Sequence, residues 1–73
     1  MRFAEWLRGS GWTQAEFARR IGAPRQTVQG WVSGKRVPSL YYALAIAALS
    51  DSVVLPADWL TEKQHLMLRG MLR

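Results

Sequence analysis

Residues 25–36 read RQTVQGWVSGKR. Arg25, Gln26 and Gln29 carry planar groups that form two parallel hydrogen bonds at once. A guanidinium matches the acceptor pair on the edge of guanine, and a carboxamide matches the acceptor and donor on adenine. The same stretch holds Gly30 in its middle, although a glycine inside a helix costs roughly 1 kcal/mol relative to alanine. The chemistry available here is recognition through hydrogen bonds rather than bond making.

The charge pattern points the same way. Formal net charge is +5. From Phe17 to Ser50 there is no Asp or Glu, and the window holds Arg19, Arg20, Arg25, Lys35 and Arg36. Outside it, Arg2 and Arg8 balance Glu5 and Glu16, while Asp51, Asp58 and Glu62 balance Lys63, Arg69 and Arg73. The whole excess therefore sits in the middle of the chain. A basic surface without compensating acids attracts polyanions.

The elements that hold these residues read as five short helices without a convincing strand. The first spans about Arg2 to Arg8, with Phe3 and Leu7 inward and Gly9-Ser10-Gly11 ending it. The second spans about Thr13 to Ile21. Thr13 and Glu16 form a capping box, Trp12 staples onto Phe17, and Phe17, Ala18 and Ile21 face inward. The third starts at Pro24 or Arg25, where Pro suits the first helical position, and ends at Gly34. Its inward face is Val28, Trp31 and Val32. The fourth follows Ser39 as N-cap and reaches Leu49, with Leu40, Leu44, Ala47 and Ala48 along one face. Asp58 is expected to cap the fifth, from about Trp59 to Leu72. Short connections make the expected fold class all-α, a compact bundle in one domain of 73 residues.

Gly22-Ala23-Pro24 joins the second and third helices. Two helices with so short a turn form a helix-turn-helix, which can lay its second helix in the DNA major groove. At 100 degrees per residue, the face opposite Val28, Trp31 and Val32 carries Arg25, Gln26, Gln29, Gly30 and Ser33. A face that is merely solvated usually carries Glu and Lys pairs; this one has no acid. On it, Gly30 has two readings. A missing side chain lets the backbone approach a base edge or a thymine methyl, or the glycine is tolerated because Val28 and Trp31 hold the helix by packing.

The segment TQAEFARRIGAPRQTVQGWVSGKRVPS, residues 13–39, closely resembles the helix-turn-helix of the Cro/phage-repressor (XRE-type) family. The family pattern is TQ-x-x-[LF]-A, a Gly-led turn, and a recognition helix ending W-x-x-G-K-R-x-P-S. Residues 57–60, Ala-Asp-Trp-Leu, are similar to the opening of the family's last helix. The resemblance implies base contacts from Arg25, Gln26 and Gln29, with Gly30 in place of a residue that is often a polar base contact. It implies phosphate contacts from Thr13, Gln14, Thr27, Ser33, Lys35 and Arg36. Many members carry Glu where this chain has Val32, paired with an Arg where it has Leu7. Here an ionic pair is replaced by an apolar one, a change that often keeps stability.

The resemblance also implies the expected role: a double-stranded DNA-binding transcription regulator acting at an inverted-repeat operator, of the phage or mobile-element repressor type. Leu66, Met67, Met71 and Leu72 exceed what a small core needs, so residues 58–73 are expected to form a homodimer interface. The alternative is an antitoxin-like or other protein-interaction module that uses the last helix. No enzyme is expected, and neither a metal nor a cofactor: there is no Cys, and His65 is a lone histidine. No small-molecule ligand is evident. The four Trp residues fit core packing better than base stacking. One of Tyr41 and Tyr42 is expected to pack and the other to reach a phosphate, and the sequence does not say which. No apolar run reaches the roughly 20 residues of a membrane span, and MRFAEWLRGSG lacks the apolar stretch of a signal peptide. A cytoplasmic location is expected.

Overall fold

Phe3 lies against four other aromatic rings, and the helices are arranged around that contact. In a computed structural model describing residues 1–71, its ring centroid is 5.2 Å from Phe17, 5.6 Å from Trp59, and 6.2 Å from both Trp6 and Trp31. All fall in the range where tilted and edge-on aromatic pairs attract. The pairs join α1 (Phe3–Ser10), α2 (Gln14–Ile21), α3 (Arg25–Ser33) and a 3₁₀ turn (Pro56–Trp59). α4 (Leu40–Leu49) closes the core with Ile46, and α5 (Glu62–Met71) follows the turn. The described residues contain helices and turns and no strand.

Local chemistry sets most boundaries. The Thr13 hydroxyl accepts a hydrogen bond from the Glu16 N–H at 3.1 Å and donates one to the Glu16 carboxylate at 3.1 Å. The Trp12 ring sits 5.8 Å from Phe17, so the staple forms. Gly22 ends α2 at φ 77°, a left-handed conformation that glycine adopts without a Cβ clash. Pro24 does not occupy the first helical position. Its ψ of 145° is extended, which makes it the N-cap, and its carbonyl accepts from the Thr27 and Val28 N–H groups.

Two expected boundaries and one expected face are different. α1 runs through Gly9 to Ser10, because no residue leaves the helical conformation before Gly11. Asp58 does not cap α5. Its carboxylate accepts the Leu55 N–H at 2.8 Å and the Met1 amino group at 3.1 Å, tying the 3₁₀ turn to the start of α1. Thr61 caps α5 instead: its hydroxyl accepts the Gln64 N–H, and the Gln64 side chain accepts the Thr61 N–H. In α4 the buried residues are Ala43 and Ile46, with Ala47 half-buried, while Leu40, Leu44 and Ala48 point to solvent. LYYALAIAAL is apolar on every side, so spacing alone favours no face. Packing of Tyr42 on Trp31, with ring centroids 5.2 Å apart, fixes the rotation. Tyr42 is therefore the tyrosine that packs, and Tyr41 is exposed.

The core holds Phe3, Leu7, Phe17, Ala18, Ile21, Ala23, Val28, Trp31, Ile46 and Val54. Trp6, Trp12, Val32 and Trp59 pack on its edge, so all four tryptophans serve packing. Leu7 is buried and Val32 is half-buried in that same cluster, consistent with an apolar pair. α5 contributes nothing to the core, since each of its described residues is exposed. No helix among the described residues is long and apolar enough to cross a membrane.

Two outcomes follow from this packing. Phe3→Ala should cost about 3–5 kcal/mol and lower Tm by roughly 12–40 °C in a domain this size. A thermal melt followed by circular dichroism that moved by less than about 5 °C would show that the ring cluster does not hold the fold. Asp58 gives the second. Burial raises its pKa, but hydrogen bonds from the Leu55 N–H and the Met1 amino group outweigh that and lower it below the ordinary 3.8. A lowered folded value makes its stabilisation present above the unfolded value and lost as pH falls through the folded one. Asp58→Asn should therefore melt below wild type at neutral pH, and the two should converge below pH 3.8. Equal melts at neutral pH would remove Asp58 from any stabilising role.

Candidate nucleic-acid interface

α2 and α3 are held at their short turn by the backbone. The Gly22 and Ala23 N–H groups both donate to the Ala18 carbonyl, at 2.9 and 3.1 Å, and Ala23 is buried beneath the turn. Val28 and Trp31 anchor α3 in the core at 0% and 3% exposure. With its inward face fixed, the helix carries Arg25, Gln26, Gln29 and Ser33 to solvent. The three expected base-edge side chains thus lie on one exposed face, free of carboxylates.

The expected phosphate contacts are spread over α2, α3 and the loop that follows α3. Thr13 is exposed at the start of α2, and Gln14 follows half-buried. The Thr13 hydroxyl is already engaged in its helix cap in both directions. Thr27 is half-buried in the first turn of α3. Lys35 and Arg36 are exposed in the loop that leaves α3. The sole ion pair among the described residues joins the Met1 amino group to Asp58. Arg19, Arg20, Arg25, Lys35 and Arg36 therefore have no carboxylate partner among these residues. Unpaired cations beside a helix rich in amides suit a phosphate backbone with base edges between its strands.

Gly30 departs from expectation. It lies on the outward side of α3 by helical angle, yet it is buried. The cover comes from the chain itself. Gly34 adopts φ 79°, which turns the backbone after α3. The Arg36 N–H then donates to the Gly30 carbonyl at 3.1 Å, and the Ser33 hydroxyl donates to the same oxygen at 3.2 Å. A Cβ on residue 30 would stand 2.8 Å from Arg36 Cδ, 2.9 Å from Cγ and 3.1 Å from Cβ. Gly30 is thus covered by the Arg36 side chain and is not open on the outward face. Sequence reasoning missed this because a contact across a reversed loop leaves no periodic signal.

The expected dimer residues Leu66, Met67 and Met71 are exposed on α5, and Leu72 lies outside the described residues. A second exposed apolar set lies on and beside α4: Val37, Leu40, Tyr41 and Leu44. Nothing in the sequence set it apart from a core face.

A family model described as helix-turn-helix matches residues 4–49. The chain matches no curated protein and no solved structure. The match spans α1 through α4, more than half of the chain, and takes in the short turn, the anchored recognition helix and the basic loop. The chain belongs to the XRE-type (Cro/phage-repressor) helix-turn-helix family of DNA-binding transcription regulators.

Proposed function

We propose that the protein is a sequence-specific repressor of the Cro-like type that binds an inverted-repeat operator as a homodimer. The observation that carries this reading is the exposed, acid-free face of α3. Arg25, Gln26 and Gln29 read base edges there. Thr13, Gln14, Thr27, Ser33, Lys35 and Arg36 contact the phosphates on either side. Phosphate contacts set the register of the helix, and base contacts set the sequence. Occupying a promoter would repress it without any catalytic step.

The dimer reading is supported by α5, whose Leu66 and Met71 are 59% and 72% exposed. Apolar side chains left on a small domain's surface mark an association face. Two protomers joined through residues 58–73 would present their recognition helices to successive major grooves, about 34 Å apart. The protein-interaction reading has its own support in the exposed set Val37, Leu40, Tyr41 and Leu44. It would take the lead if DNA binding proved unspecific.

Selection from a random duplex pool at about 150 mM salt tests the function. An enriched inverted repeat with half-sites one turn apart is expected, and absence of any enriched sequence would overturn it. On that site Arg25→Ala should cost about 1–3 kcal/mol and relax preference at one base position. Lys35→Ala should weaken all duplexes alike and lower the slope of log K against log salt by about 1. An altered base preference in Lys35→Ala would reverse the two assignments. Met67→Glu with Met71→Glu should convert a sedimenting dimer to a monomer of unchanged helicity, and a persistent dimer would move the interface off α5.

A further inference from the structure

Gly30 is buried although it faces outward, and the three nearest atoms to its missing Cβ all belong to Arg36. Two of those distances, 2.8 and 2.9 Å, are too short for a real side chain. The contact is reinforced through the backbone, because the Arg36 N–H donates to the Gly30 carbonyl. The Ser33 hydroxyl takes a second position on that oxygen. Gly34 supplies the left-handed turn that brings Arg36 back. Gly30, Ser33, Gly34 and Arg36 thus act as one device. It lays the methylene stem of Arg36 across α3 at the point where a residue-30 side chain would otherwise project.

We propose that Gly30 is a positioning residue whose task is to seat Arg36, so that the Arg36 guanidinium is presented to DNA from the surface of α3. This rests on the DNA-binding reading above. Arg36 then differs from Lys35. Lys35 sits on the loop without such a seat, whereas the Arg36 stem is held against the recognition helix at Gly30. An arginine ordered before binding loses less freedom when it meets a phosphate or a base, which favours affinity. The glycine's low helix propensity is offset by fixing that arginine.

Four chains test it: wild type, Gly30→Ala, Arg36→Ala and the double variant. Thermal melts without DNA read the seat. Alanine normally strengthens a helix interior. Gly30→Ala should therefore raise Tm once Arg36 is truncated, but lower it or leave it unchanged while Arg36 is present. An equal rise in both backgrounds would overturn the seat. Titration of the enriched duplex over a range of salt reads its purpose. Gly30→Ala and Arg36→Ala should each weaken binding about tenfold and each lower the salt slope by about 1. The double variant should be no weaker than Arg36→Ala alone. Effects that multiply in the double variant would overturn the proposal, because Gly30 would then act independently of Arg36. Coupled melts with unchanged DNA affinity would overturn it too, leaving a structural contact only. If wild type itself binds no duplex, the DNA-binding reading fails, an outcome distinct from either of these.

Discussion

The ring of Phe3 is the contact on which the rest of this small domain depends. A chain of this length buries a modest share of its surface and has a narrow stability margin. It meets that limit with aromatic volume rather than with many residues. Phe3 and Phe17 touch each other and the rings of Trp6, Trp12, Trp31 and Trp59 between them. Because Trp31 belongs to the recognition helix, the same cluster that stabilises the fold sets the rotation of α3. The direction of Arg25, Gln26 and Gln29 is therefore a consequence of core packing on the opposite side of the helix.

That coupling explains how a short helix with little intrinsic stability can present a rigid face. RQTVQGWVS has a glycine in its interior, no side-chain cap at its start, and no Glu–Lys pairs along it. Isolated, it would not hold a helical conformation. Val28 and Trp31 fix it from below, and the reversed loop fixes it from above through the Gly30 carbonyl. The outward residues are thus free to be chosen for hydrogen bonding rather than for helix strength. The absence of carboxylates fits the same division. Nothing on the face competes with phosphate for its cations.

The apolar surface is divided differently from the core. α1 to α4 and the 3₁₀ turn enclose the buried residues, while α5 stands outside them with its leucines and methionines exposed. α4 also turns Leu40 and Leu44 outward, because only its Ala43 and Ile46 side reaches the core. The small Ala43 lets α4 lie close, and Ile46 fills the space beside it. A larger residue at Ala43 would press on Pro56 and Trp59 of the 3₁₀ turn, which line the same groove.

Much of this organisation is set locally and was legible in the chain. Thr13 with Glu16, Gly22 before Pro24, and Gly34 before Pro38 set the limits of the helix-turn-helix, because caps and left-handed turns depend on neighbours a few residues apart. The inward faces of α2 and α3 follow from strong contrast between apolar and polar positions at helical spacing. Three features were decided by the tertiary structure alone. The rotation of α4 was open because its residues are apolar all round, and only the Trp31–Tyr42 contact selects a face. The role of Asp58 depends on the return of Met1 to the 3₁₀ turn, a contact between opposite ends of the domain. The burial of Gly30 depends on Arg36 folding back over the helix. In each case the partner lies beyond the reach of periodicity, so the residue types were visible and their meeting was not.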